Sequence, residues 1–211
     1  MIGLAIHTSS PELGLALTDF DQVKRHQVWP LGRDLTAYLH ACLTEFRQPY
    51  DWADLAFVAV AKGPGGFTGT RIGVVVARTL AQQLSIPLFG VSSLAAIAQQ
   101  YQSGSNTEGQ PSDIADIAVA MRAQRGEIFG AIFQLQSGKI TVALEETVRT
   151  QVDWEAHLQS WPVPYHLITA EDGLAKSVTG VLALAQMQWE IGDRPDWQTV
   201  LPFYGQHPVH R

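Results

Sequence analysis

One stretch constrains the fold more than any other, Lys62-Gly63-Pro64-Gly65-Gly66-Phe67-Thr68-Gly69-Thr70-Arg71-Ile72-Gly73. It follows the apolar run Leu55-Ala56-Phe57-Val58-Ala59-Val60-Ala61, which reads as a buried parallel strand. It leads into Ile72-Gly73-Val74-Val75-Val76-Ala77-Arg78-Thr79-Leu80-Ala81-Gln82-Gln83-Leu84, which reads as a helix. A strand, a glycine-rich turn and a helix make an α/β unit, and ligands or partners are met at such turns.

The spacing excludes two familiar loops. A Walker loop carries Gly-Lys before its Ser or Thr, whereas Gly69 is followed directly by Thr70 and Arg71. The dinucleotide fingerprint needs glycine at its first, third and sixth places; from Gly63 the count reaches Gly65 and then Thr68. The preferred reading is a tight turn whose glycines permit close backbone packing. A cradle of bare backbone amides stays open as the second reading.

The helix after the loop is apolar over too wide an arc. At 100° per residue, Ile72, Gly73, Val74, Val76, Ala77, Leu80, Ala81 and Leu84 fill roughly 200°, more than covering one sheet face requires. Gly73, Ala77 and Ala81 recur every four residues, which lets a neighbour approach the axis closely. Val75 adds an apolar residue among Arg71, Arg78 and Gln82 on the polar wedge. Two placements fit: inside its own domain, or between its own sheet and another subunit.

Before the loop, strands are expected at 2–6, 13–18 and 23–28, with a turn at 19–22. Asp34 is the expected N-cap of a helix to Phe46 with Leu35, Leu39, Cys42, Leu43 and Phe46 on one face, ended by Pro49. After the loop come a strand at 87–91 and a helix to about residue 100, capped by Ser92 or Ser93. The order β-β-β-α-β-α-β-α suggests a mixed sheet of ribonuclease-H type. The polar, Gly/Ser-rich residues 101–113 read as a linker. Strands at 114–120, 127–135, 139–148 and 165–169 and helices at 152–159 and 174–188 repeat the pattern in worn form. Residues 201–204 are expected to pack back as an extended tail.

Charge and composition narrow the function. The 211 residues carry a net charge of −6, the wrong sign for binding nucleic acid alone by counterion release. Only 16% are charged and 46% hydrophobic, which fits a chain that buries surface against a partner. The single cysteine, Cys42, excludes an internal disulfide or a cysteine-based zinc site. No stretch reaches the ~20 apolar residues of a membrane span, and the N-terminus lacks a basic region and cleavage site, so no signal peptide and a cytosolic location are expected.

Candidates for chemistry are few. The seven histidines form no HxxxH or HExxH pattern, and His207 and His210, the close pair, lack an acidic ligand. Ser9 and Ser10 read as turn or cap residues rather than nucleophiles, because no G-x-S-x-G motif occurs. In a ribonuclease-H-like phosphotransferase the first strand ends on an Asp; here His7 stands there, a poor ligand for magnesium. Thr8 and Ser9 can still donate to a phosphate, so residues 7–9 read as a nucleotide site that has lost its acid. Arg122, Arg125 and Glu127 read as solvent-facing strand ends.

Ala5-Ile6-His7-Thr8-Ser9, the loop from Gly63 to Gly73, Gly90-Val91-Ser92-Ser93-Leu94 and Arg125-Gly126-Glu127-Ile128-Phe129 occur in an order that resembles the TsaB (YeaZ) family. The resemblance is strong over residues 1–100 and thins after about 135. It implies a two-lobed, actin-like fold of the ASKHA class: duplicated ribonuclease-H-like mixed sheets with flanking helices, residues 1–100 and 114–211 forming the lobes. It implies no catalytic residue, metal or cofactor of its own, ATP or ADP being expected only at an interface with a partner. The implied role is that of a non-catalytic scaffold and activator that dimerises with TsaD and, through the complex, meets the ATPase TsaE and tRNA during synthesis of N6-threonylcarbamoyladenosine. A homodimer is the expected alternative when the chain is alone. The expected interface uses Ile72, Val75, Val76 and Thr79 with Leu39, Cys42 and Leu43, and Arg71 and Arg78 at its rim.

Three departures from the family pattern each remove a polar group. His7 replaces the usual Asp, Arg122-Ala123-Gln124 replaces Asp-Ala-Arg, and Gly32-Arg33-Asp34-Leu35 lacks a His near the first helix. The rival reading is a small-molecule phosphotransferase using loop 63–69, and a metalloprotease is disfavoured by the missing histidine motif.

Overall fold

A computed structural model describes residues 1–20, 24–104, 116–136, 139–203 and 205. The first half runs β1 (Ile2–His7), β2 (Leu13–Thr18), β3 (Lys24–Trp29), α1 (Leu35–Phe46), β4 (Leu55–Ala61), α2 (Phe67–Leu84), β5 (Leu88–Val91) and α3 (Ser93–Gly104). The second runs β6 (Asp116–Arg122), β7 (Glu127–Gln136), β8 (Lys139–Thr150), α4 (Gln151–Gln159), β9 (Tyr165–Ala170) and α5 (Val178–Glu190). Among the described residues the strands form two mixed sheets, ordered β3-β2-β1-β4-β5 and β8-β7-β6-β9. Each starts with an antiparallel meander and adds a parallel strand beside its first one. The second sheet therefore repeats the order of the first without a fifth strand. This is the duplicated ribonuclease-H-like arrangement of actin-like proteins that the pattern predicts.

The two faces of the first sheet differ in side-chain size, and the register makes them so. The row Leu17, Leu4, Val58, Leu88 lies on one face, and its neighbour Ala16, Ala5, Ala59, Phe89 on the other. The large row packs under α1 and α2, with Leu39, Leu43, Val74 and Ala77. The alanine-rich row packs against Val178, Val181, Leu182 and Ala185 of α5, a helix from the other half of the chain. In return, Leu94 and Ala98 of α3 pack with Ile117, Val119 and Phe133 of the second sheet. Each lobe thus lends its last helix to the other lobe's sheet. The two helices cross so closely that a Cβ at Gly180 would stand 2.0 Å from the Ala96 carbonyl oxygen.

Several boundaries differ from expectation for local reasons. Asp34 stands at the N-cap position of α1 but closes a 3-10 turn, Gly32–Asp34, and its side chain makes no capping bond. Ser92 does cap α3, accepting from the amides of Leu94 (3.1 Å) and Ala95 (3.3 Å). That helix runs on to Gly104, so residues 101–104 of the expected linker are helical, and 105–113 lie outside the described residues. Residues 174–177 form a 3-10 turn before α5. The tail packs back as expected: the Phe203 amide donates to the Lys62 carbonyl oxygen (2.7 Å), and the Phe203 ring meets Phe129 edge-on. Tyr204 lies outside the described residues. Among the described residues, no helix is long and apolar enough to cross a membrane.

Candidate functional site

The glycine loop closes onto the end of β1. The Gly66 amide donates to the Ser9 carbonyl oxygen (2.7 Å), and the Thr8 hydroxyl donates to the Gly69 carbonyl oxygen (2.8 Å). A Cβ at Gly65 would lie 2.3 Å from the Ser9 carbonyl oxygen, and one at Gly69 2.1 Å from that of Thr8. Gly73, in the second turn of α2, faces the Thr8 hydroxyl at 2.1 Å in the same sense. No side chain larger than hydrogen fits at these contacts, so the glycine pattern reflects close packing. The Cβ side of Gly65, Gly69 and Gly73 and the Gly66 amide are thus taken up by residues 8 and 9 of the same chain.

His7 completes this sealed corner. It is wholly buried, and desolvation lowers its pKa to about 3, so the ring is neutral at physiological pH. The Ser9 amide donates to His7 Nδ1 (3.3 Å), which places the ring proton on Nε2. Nε2 and the Ser9 hydroxyl have no hydrogen-bond partner among the described residues. Of the three residues read as a degenerate nucleotide site, Thr8 has its hydroxyl committed to the loop and His7 uses Nδ1 internally.

The outer surface of α1 and α2 is different. A groove of about 290 Å³ runs between the helices, lined by Thr36, Leu39, His40, Arg71, Ile72, Val75 and Val76. Val75 is 62% exposed, and Ile72 and Val76 are half-buried at its flank. Arg71 borders it and lies over the Phe67 ring (5.2 Å to the centroid), itself an exposed aromatic. Tyr38 is exposed on α1 nearby in sequence.

The remaining expected contact residues distribute unequally. Thr79 is exposed, its hydroxyl donating to the Val75 carbonyl oxygen (2.9 Å). Cys42 is half-buried, and burial is the largest cause raising its thiol pKa. Leu39 (1% exposed) forms the groove floor, whereas Leu43 (2% exposed) belongs to the core under α1 and presents nothing outward. Arg78 is turned to the Trp197 ring (5.4 Å), so it does not rim the groove. Gly73, Ala77 and Ala81 are buried against the sheet, so the small-residue stripe serves the chain's own β1 and β4 rather than a neighbour. Sequence reasoning had no way to assign these faces, because an apolar arc of that width has no unique inward direction.

Elsewhere the chemistry is sparse. Arg122 and Arg125 are exposed at the junction of β6 and β7, as their reading as strand ends requires. Among the described residues no group of three or more His, Cys, Asp or Glu is placed to hold a metal ion. His207 and His210 lie outside the described residues.

Comparison with known proteins follows the same lines. A family model described as TsaD, tRNA N6-adenosine threonylcarbamoyltransferase, matches residues 34–184. The tRNA threonylcarbamoyladenosine biosynthesis protein TsaB of Bacillus subtilis (strain 168) is 32% identical over 177 residues, 83% of this chain and 73% of that protein. The protein of the same name from Escherichia coli (strain K12) is 28% identical over 142 residues, 62% of this chain and 54% of that protein. The solved structure of YeaZ from Pseudomonas aeruginosa superposes with a TM-score of 0.72 at 25% identity, covering 97% of this chain and all of that one (100%).

Proposed function

The chain belongs to the TsaB family, and from that premise we propose that it serves tRNA threonylcarbamoyladenosine synthesis as a non-catalytic subunit, docking TsaD through the α1–α2 groove. The observation that carries this reading is the apolar groove itself. Val75 stands 62% exposed at its edge with Ile72 and Val76 beside it. An apolar centre flanked by an arginine that lies over an exposed phenylalanine has the composition of a protein interface. The glycine loop packed onto residues 8 and 9, and the wholly buried, neutral His7 beside it, support the non-catalytic part.

In this proposal TsaD supplies the catalytic groups. TsaE and tRNA are met through the complex, and any nucleotide lies at a subunit interface. The groove also suits a second copy of the chain when TsaD is absent. The cytoplasm, where tRNA is modified, is the proposed location.

Light scattering on size-exclusion eluates tests the docking. The full chain mixed with TsaD of the same organism is expected to give a heterodimer. Val75→Glu, at an exposed position, is expected to keep the fold and weaken the heterodimer by at least about tenfold, the direction for a charge desolvated at an interface centre. Absence of a wild-type heterodimer at any concentration, or an unchanged affinity for Val75→Glu, would remove the groove from this role.

A further inference from the structure

A second cavity lies between the lobes, apart from both the sealed corner and the groove. The ends of β4 and β5, with α5, face β7 and β8 across about 260 Å³. Lys62, Ser92, Glu146 and Gln188 supply its polar wall, with Glu145 exposed at its rim, while Phe133, Val142 and Leu184 supply an apolar one. A larger hollow of about 490 Å³ adjoins it, sharing Lys62, Gly90 and Gln188.

The carboxylate here is held in place. Ser92 Oγ donates to Glu146 Oε2 and itself accepts from the Leu94 and Ala95 amides at the start of α3. The Glu146 side chain from the second sheet is thus fixed to a helix N-terminus of the first lobe. Burial, and to a smaller extent the Glu145 charge, raise its pKa, while the Ser92 hydrogen bond and the charge of Lys62 oppose that rise. Among the described residues Lys62 has no carboxylate within ion-pair distance, although its charge acts on Glu146. One cavity therefore holds a positioned carboxylate, Glu146, and a separate ammonium, Lys62, that do not close on each other, with Glu145 at the rim. An apolar wall stands beside them.

We propose that this cavity binds a free α-amino acid with an apolar side chain. Its ammonium pairs with Glu146, its carboxylate with Lys62, and its side chain lies against Phe133, Val142 and Leu184. A zwitterion answers both charges at once, the carboxylate that Ser92 holds and the ammonium that has no carboxylate within ion-pair distance among the described residues. The volume lies just below the ~300 Å³ at which drug-sized sites begin, which suits a single amino acid. This site is independent of the docking surface.

Titration calorimetry of the full chain with L-leucine, L-valine and L-phenylalanine tests the site, with chemical shifts of the 90–95 amides as a second readout. At least one is expected to bind with a Kd below about 1 mM, and its amide (no carboxylate) and its deaminated acid (no ammonium) at least about tenfold more weakly. Glu146→Gln and Lys62→Met are expected to weaken it by at least about tenfold, with Lys62→Met leaving the amide's affinity unchanged. Val142→Trp, at a 54% exposed rim position, is expected to fill the cavity and abolish binding. No binding of the three up to about 20 mM, or equal affinity for the deaminated acid, overturns the proposal. So does wild-type affinity in all three variants. If a variant fails to fold, the ligand series on the wild type decides alone.

Discussion

His7 is a titratable side chain taken wholly out of water. Its pKa is about 3 in the folded chain against 6.5 unperturbed, with burial as the cause. The unfolded chain therefore binds a proton between those values that the folded one refuses. That contribution to stability is present above pH 6.5 and is lost as pH falls toward 3, with a slope of up to about 1.4 kcal/mol per pH unit. His7→Asn removes the titration while offering an oxygen to the Ser9 amide. Denaturant melts from pH 7 to pH 4 should show the variant with a flatter pH dependence than wild type; parallel curves would refute the assignment. Thr8 sets the second prediction. Gly73→Ala should cost about 1–3 kcal/mol by overpacking against the Thr8 hydroxyl. In a Thr8→Ala background the cost should be smaller, because the clashing oxygen is gone. The glycines were legible in the sequence as packing devices; what they pack against was not. Residues 8 and 73 are distant in the chain, and only β1–β4 pairing and the α2 crossover bring them together.

Helices α1 and α2 carry the contrast between core and surface. The apolar excess of α2 was visible in the sequence, but its division was not. The structure assigns Val74, Ala77 and Ala81 inward and Val75 outward, with Ile72 and Val76 between. Leu43 and Val75, both expected at the interface, should therefore behave oppositely. Leu43→Ala should cost about 2–5 kcal/mol of stability through the cavity it leaves in the core. Val75→Ala should change stability by less than about 0.5 kcal/mol, as exposed substitutions do, and act only on partner binding. Thermal melts of the two variants separate the cases, and equal losses would mean that Val75 is buried in the isolated chain by self-association.

At the scale of the whole molecule, the polar stretch after residue 100 divides the sequence but not the packing. Helix α5 covers the alanine face of the first sheet, and α3 covers the second. A fragment of residues 1–113 would expose Ala5, Ala16, Ala59 and Phe57 to water, and it is expected to expose hydrophobic surface to dye and to lack a cooperative melt. The full chain should unfold in one transition, since neither sheet has both faces covered without the other lobe's helix. Calorimetry of the full chain checks this; two resolved transitions would show that each lobe is stable on its own.

The sequence alone determined the element order, the doubled β-β-β-α-β-α pattern and the family, because these rest on local periodicity, turn residues and a contiguous glycine motif. By spacing it also set the loop apart from the Walker and dinucleotide-binding motifs. Tertiary structure alone decided which face of α2 meets the sheet, which lobe receives α3 and α5, and that Glu146 reaches Ser92 and the neighbourhood of Lys62. Those outcomes depend on which distant surfaces bury each other. Hydrophobic burial is non-directional, so a local pattern can show that a face must be covered without showing by what.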